Sequence, residues 1–236
     1  MSDRGATADT VLESPAWLDA LRSVPGVRAG WVGRLPGLDV ACPRDEAMRR
    51  LRPHHEAALR AFTADDARCW RGEQVHGCEV AIVPGATETI APDGLPVVPG
   101  ADGLVTREAG VVLCIHVADC GAIWLADRST GAVGLLHSGK KGTESDILGR
   151  ALDVMARAFG TRPGDVTAVL GPCIRPPDYE VDFAAAIRRQ AARTGIGNLI
   201  DCGMNTASDL RRFYSYRKEL GSTGRMMALI VRDAPP

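Results

Sequence analysis

The sequence has few aromatic residues (5%), few lysines, almost no net charge and no long apolar run. No stretch approaches the ~18–20 apolar residues of a membrane-spanning helix, which excludes that class. The charge is balanced, with 28 Lys+Arg against 29 Asp+Glu and a formal net of -1. That excludes a nucleic-acid binder that relies on a bulk positive field. The chain also lacks any closely spaced cysteine pair, which excludes the common structural zinc modules built on CxxC. Its first residues, MSDRGATADTVLES, contain no apolar segment of the kind a Sec signal needs. Together with an odd count of seven cysteines, this leads us to expect reduced thiols in a cytoplasmic protein.

What is present is ordinary for a globular chain: 236 residues, 45% hydrophobic and 24% charged. The 26 glycines and 15 prolines exclude a coiled coil. Residues 1–13 read as a flexible tail, and 14–236 as one domain with no convincing linker. A first helix is expected from Ser14 as N-cap with Pro15 at N1, stopped by Pro25-Gly26. A helical stretch over 45–62 should kink at Pro53, with His54-His55 on its solvated face. Residues 73–83 read as strand, turn and strand with His76-Gly77 at the bend, and 84–103 as a long loop. Strands are expected at 111–118, 122–127, 132–137, 165–170 and 226–231. The clearest helix is 144–159, where Leu148, Leu152, Met155 and Phe159 share a face, Thr143 and Asp146 fit a capping box and Gly160 suits C′. A further helix spans 182–194, from Asp182 to a stop at Gly195. Strands and helices without regular βαβ alternation point to an α+β fold in layers.

Three positions at strand or turn ends carry candidate chemistry: His76 in QVHG, Cys120 in ADCG and His137 in LLHSGKKGT. Two imidazoles and a thiolate are ligands zinc prefers, and three ligands with an open fourth position is the catalytic zinc pattern. The separations, 44 and then 17 residues, match no short motif, so a buried cysteine with two hydrogen-bonded histidines is the competing reading. Cys114, His116 and Cys120 form a second possible set, although Cys114 and His116 read better as core. The segment Ser138–Thr143, with Lys140 and Lys141 ahead of a helix, reads equally as an anion site or a basic surface turn. The aromatics of Phe213-Tyr214-Ser215-Tyr216-Arg217, with Arg225 beyond, could stack a planar base or fill the core.

In collinear order, QVHG (74–77), AD-G-L (101–104), ADC (118–120), HSGKKGT (137–143), LGPCI (170–174), YEV (179–181), FYSYR (213–217) and TGR (223–225) resemble the YfiH/laccase-domain family, also described as multicopper polyphenol oxidases. The resemblance covers residues ~70–231. It implies an α+β sandwich of central β-sheets flanked by helices, similar to cytotoxic necrotizing factor. It implies zinc held by His76, Cys120 and His137, with copper the less favoured metal. It implies phosphorolysis of purine nucleosides such as adenosine, inosine or methylthioadenosine, and hydrolytic deamination of adenosine. The partners would be purine nucleoside and phosphate, with Lys140, Lys141, Arg217 and Arg225 as the binding cations and Lys141 the better anion contact. A polyphenol oxidase would need more histidines than the five present. Two alternatives stand beside this: a metal-free hydrolase or deamidase using Cys120 and His137, and a non-catalytic purine- or metal-binding protein. The second is motivated by HSGKKG, which replaces the family's usual HAGWRG, because lysine cannot reproduce an arginine fork.

Overall fold

The structure, a computed structural model, describes residues 12–63, 65, 68–91 and 94–234. Its strands in chain order are β1 (Val27–Val32), β2 (Cys69–Gly72), β3 (Val80–Ile82), β4 (Thr89–Ile90), β5 (Pro96–Val98), β6 (Gly103–Thr106), β7 (Val112–Val117), β8 (Gly121–Asp127), β9 (Val133–Ser138), β10 (Val166–Leu170), β11 (Asn198–Asp201) and β12 (Met226–Arg232). Its α-helices are α1 (Asp19–Arg22), α2 (Arg44–Arg60), α3 (Lys140–Glu144), α4 (Ile147–Phe159) and α5 (Phe183–Thr194). The strands form two six-stranded sheets, ordered β1-β12-β7-β2-β5-β4 and β11-β10-β8-β9-β6-β3.

Alternation along the strands explains how the sheets stack. In the first sheet, Trp31, Leu113, Ile115 and Ile230 turn to one side and join Trp124, Leu135 and Val169 of the second sheet in one core. Trp17, Trp31 and Trp124 meet there, with ring centroids 5.5–6.1 Å apart, and the Trp124 indole N–H donates to the Leu229 carbonyl across the sheets at 2.9 Å. The other face of the second sheet, with Ile123, Leu125 and Leu136, packs on Leu148, Leu152 and Met155 of α4 and Ile187 of α5. The outer face of the first sheet, with Val112, Cys114, Met227 and Leu229, is met by Ala58, Leu59 and Phe62 at the end of α2. Helix, sheet, sheet and helix therefore form four layers. Strand β8 is buried along its whole length because both of its faces are covered.

Several local expectations differ from the structure. Pro15 has the helical φ of -68° but an extended ψ of 152°, so the first turn starts one residue later, as a 3₁₀ segment from Ala16. Glu13 exchanges backbone hydrogen bonds with Trp31 (2.7 and 3.0 Å), while residues 1–11 of the expected tail lie outside the described residues. Helix α2 runs unbroken through Pro53, which sits on the exposed side where water can satisfy the freed carbonyl. His55 is not solvated: it is 5% exposed and lies over His116, ring centroids 5.0 Å apart. The expected loop 84–103 holds β4 and β5, with Pro96 as the first residue of its strand, where no ladder donor is lost. The cap of α4 is Asp146 and not Thr143: Asp146 takes a left-handed conformation and accepts from the Gly149 N–H at 3.2 Å. Thr143 instead lies in the short helix α3 and bonds the Ser138 hydroxyl at 2.7 Å.

The parallel pair β10 and β11 is joined through α5, and Asp201 at the end of β11 ties down the loop after β10. It pairs with Arg175, at 3.1 Å through Nη1, and with Arg188 at 2.5 Å. Burial raises the Asp201 carboxyl, but hydrogen bonds from Arg175 and Gly203 and the charges of Arg175 and Arg188 lower it overall. A folded value below the unfolded one, about 3.9, gives stability that is present above about pH 4 and lost as pH falls through the folded value. Asp201→Asn is therefore expected to lower Tm at pH 7 and to flatten the acid limb of a Tm-against-pH curve. An unchanged acid limb would mean that other carboxylates set it.

Candidate active site

The loop after β2 leaves Gly72 under close constraint: a Cβ there would sit 2.3 Å from the Ala101 carbonyl oxygen. Beyond it, Gln74 and His76 both take left-handed backbone conformations, at φ 61° and 63°. Such residues cost of order 1–3 kcal/mol each and persist where surrounding bonds fix them. Here those bonds are evident. The Gln74 carboxamide donates to the His116 carbonyl (2.6 Å) and accepts from the His116 N–H (2.9 Å), which clasps the loop to β7. The buried Asp102 carboxylate accepts from the backbone N–H of His76 (2.9 Å) and of Gly77 (2.7 Å).

The same carboxylate holds His137. The His137 N–H donates to the Asp102 carbonyl at 2.7 Å, and Nδ1 lies 2.7 Å from Asp102 Oδ1. Burial raises the Asp102 carboxyl, yet bonds from His137 and Gly77 lower it overall, so it is ionised and can only accept. Nδ1 must then carry a proton, and Nε2 is left for the other side of the ring. His137 is paired across the β8–β9 hairpin with Ala122, two residues after Cys120. The result is one triangle: the ligand atoms of His76, Cys120 and His137 all lie within 4.8 Å of one another. The two histidine rings stand edge to face, centroids 4.9 Å apart. Gly139 closes the floor, since a Cβ on it would come within 2.9 Å of the Cys120 sulfur and 3.2 Å of the His76 ring.

Electrostatics favour the charged forms. Burial alone would raise the Cys120 thiol, but hydrogen bonds and charge from His137 and His76 pull it well below its ordinary value. Burial alone would lower His137, but Asp102 and Cys120 push it up. A thiolate beside imidazole nitrogens is a soft donor set that suits zinc. Three ligand atoms within 4.8 Å of one another fit a centre in which two imidazoles and a thiolate would hold zinc. Among the described residues this is the one group of three such side chains.

Asp102 has no role in the sequence reading, although it lies inside the AD-G-L motif. A single carboxylate in a loop has no local signature. The competing Cys114, His116, Cys120 set does not converge: Cys114 packs on the outer face of the first sheet, and His116 lies under α2 with His55. Of the four cations, Lys140 and Lys141 stand exposed on α3 immediately after Gly139. Arg217 reaches Asp119 with its backbone N–H (2.8 Å), lies over Tyr179 (5.3 Å) and pairs with Glu180 (3.6 Å). Arg225 is half-buried over Tyr216 (5.7 Å), and burial and the Arg44 charge lower it against the pull of Cys120 and Asp119. Phe213 and Tyr214 belong to the core, with the Tyr214 hydroxyl accepting from the Leu35 N–H at 3.1 Å, which leaves only Tyr216 exposed.

A layered α/β chain with two mixed sheets and a His-Cys-His triangle at the strand ends defines a candidate metal- or thiol-centred enzyme. The chain belongs to the multi-copper polyphenol oxidoreductase laccase family, whose family model matches residues 28–186 and 181–233. It is similar to a purine nucleoside phosphorylase from Deinococcus radiodurans, 36% identical over 217 residues, covering 80% of this chain and 78% of that one. It is similar to the purine nucleoside phosphorylase YlmD of Geobacillus stearothermophilus, 31% identical over 193 residues, 68% of this chain and 70% of that one. The crystal structure of YlmD from the same organism matches with a TM-score of 0.71 at 27% identity, covering 89% of this chain and 93% of that one. The YfiH protein of Bacillus licheniformis shares the fold with a TM-score of 0.75 at 20% identity, covering 87% and 92%. No described helix is long and apolar enough to cross a membrane.

Proposed function

We propose that this chain is a zinc-dependent purine nucleoside phosphorylase, with adenosine deamination as a second reaction of the same centre. The observation that carries the reading is the His76–Cys120–His137 triangle with Asp102 behind it. The relatives' names support the phosphorylase class. His76, Cys120 and His137 would hold the metal, and zinc bound there supplies Lewis-acid polarisation. Asp102 fixes the His137 tautomer and so aims Nε2. In phosphorolysis a phosphate oxygen bonds to C1′ as the bond to the purine nitrogen breaks, and negative charge builds on phosphate and base. Arg225, which feels the Cys120 charge, and the exposed Lys140, Lys141 and Arg217 are the cations available to stabilise it, with Lys141 the favoured phosphate contact. The family description's multiple coppers fit the donor set poorly. Of the three histidines outside the triangle, His55 of α2 and His116 of β7 lie against each other, and no second group of three ligands occurs among the described residues.

A second reading is favoured by one observation: the line Cys120, His137, Asp102 is also that of a thiol nucleophile, its base and the group orienting that base. It would make the chain a metal-free hydrolase or deamidase. Metal analysis of the purified protein, with turnover of adenosine and inosine in the presence and absence of phosphate, separates the two. The first reading expects about one zinc per chain, free base released only with phosphate, and loss of turnover on chelation. Turnover that survives chelation without bound metal would establish the second. No turnover under any of these conditions would overturn both.

A further inference from the structure

We propose that the cavity between α2 and the outer face of the first sheet is a second ligand site, separate from the His76–Cys120–His137 centre, that takes a small organic phosphate of nucleotide size. The cavity has a volume of about 690 Å³. That lies within the range of small-molecule sites, ~300–1,000 Å³. One helical stripe forms its roof: Arg44, Met48, Arg52, His55 and Leu59, spaced 4-4-3-4 along α2. Its floor is Arg71 of β2, Cys114 and His116 of β7 and Met227 of β12, and Ile90, Leu95 and Val97 close the far wall. The triangle, in contrast, stands where the β2–β3 loop meets the ends of β8 and β9, and none of its three side chains lines this cavity.

The lining combines an apolar body with guanidinium groups. Arg44 and Arg52 have no ion-pair partner among the described residues, whereas Arg49, also at the cavity, is paired with Glu46. Of the acids at the cavity, Glu56 is occupied by Arg60 (3.8 Å) and Glu73 accepts the Gly100 N–H (2.8 Å), which leaves Asp45 at the rim. The positive field reaches the floor: burial, then His55 and the Arg71, Arg44 and Arg225 charges, keep His116 neutral. The His55 ring is neutral as well, and its buried Nε2 meets no hydrogen-bond partner among the described residues. Guanidinium forks suit phosphate oxygens, and the bare Nε2 of neutral His55, whose one N–H is turned to the Arg225 carbonyl, can accept from a hydroxyl or amino group of the organic body. The phosphate sits under Arg44 and Arg71 above His116, and the organic body runs along Met48, Leu95 and Val97 toward Arg52.

None of the residues assigned to the function proposed above lines this cavity. It still communicates with the centre. Gln74, two residues before His76, lines the cavity and clasps His116, and Arg225 feels the charges of both Arg44 and Cys120. Titration of the zinc-loaded protein with adenosine 5′-monophosphate, inorganic phosphate and adenosine, followed by calorimetry and by imidazole NMR, tests the proposal. With five histidines in the chain, each ring can be followed. The expected result is monophosphate binding that outcompetes adenosine, moves the His55 and His116 signals and weakens with salt. Arg44→Ala should weaken it about tenfold, and Cys120→Ala should leave it in place. Three outcomes would overturn the site: no binding of the monophosphate, binding lost in Cys120→Ala but kept in Arg44→Ala, or adenosine moving His55 and His116 as strongly as the monophosphate does. An Arg52→Ala variant, altered on an exposed helix position, repeats the test should Arg44→Ala fold poorly.

Discussion

Cys120→Ala is expected to abolish both stoichiometric zinc and nucleoside phosphorolysis, with turnover falling about 10³-fold or more. The sulfur is one vertex of a triangle whose His137 ring is held from behind by Asp102, and no other cysteine, histidine or carboxylate joins the group among the described residues. Truncation removes the thiolate and exposes two imidazoles to each other without their shared partner. Cys120→Ser separates the two readings of the site. A serine hydroxyl is a poor zinc ligand and a poor nucleophile, yet a zinc-dependent centre should recover part of its activity at high added zinc. A thiol nucleophile should recover none. Zinc titration of the two variants, with base release as the readout, decides the matter. Wild-type turnover in Cys120→Ala would remove the residue from the chemistry altogether.

Asp102→Asn is expected to lower zinc affinity or turnover by about 10–100-fold, the usual effect of losing the carboxylate behind a ligating histidine. The carboxylate accepts from the His76 and Gly77 backbone and from His137 Nδ1. A carboxamide presents one oxygen and one N–H₂ group, so at least one of those three donors is left facing a donor. The cost therefore falls on His137's tautomer and on the left-handed turn at His76 together. Zinc affinity measured by competition with a chelator should fall more than Tm does. A variant with unchanged affinity and a large drop in Tm would reduce Asp102 to a purely structural post.

Most of the long elements are legible in the residues. Strands β7, β8, β9, β10 and β12 and helices α4 and α5 are each signalled by an apolar run or a clean periodicity with a terminal glycine. Pairing is not legible, because β2 joins β7 in parallel and β6 joins β9 across long stretches of chain. His55 shows how a polar pair misleads. Adjacent histidines look solvated, but Leu51, His55 and Ala58 keep a 4-3 spacing, and the burial of all three follows that spacing rather than polarity. The triangle's members stood out through their motifs. Asp102 did not, since its importance comes from three partners distant in sequence.

The hairpin register has a consequence for the order in which the centre forms. Cys120 and His137 lie on the two arms of one antiparallel hairpin, with Ala122 opposite His137 and Gly121 opposite Ser138. Hairpins close in roughly 1–10 μs, whereas parallel pairing across long loops is slow. His76 reaches the centre only after β2 has docked beside β7 and β3 beside β6. A folding chain thus carries a two-ligand half-site before it carries three. An ion captured by that half-site would favour the late docking of the β2–β3 loop, so metal added during refolding should speed the last phase and leave the first untouched.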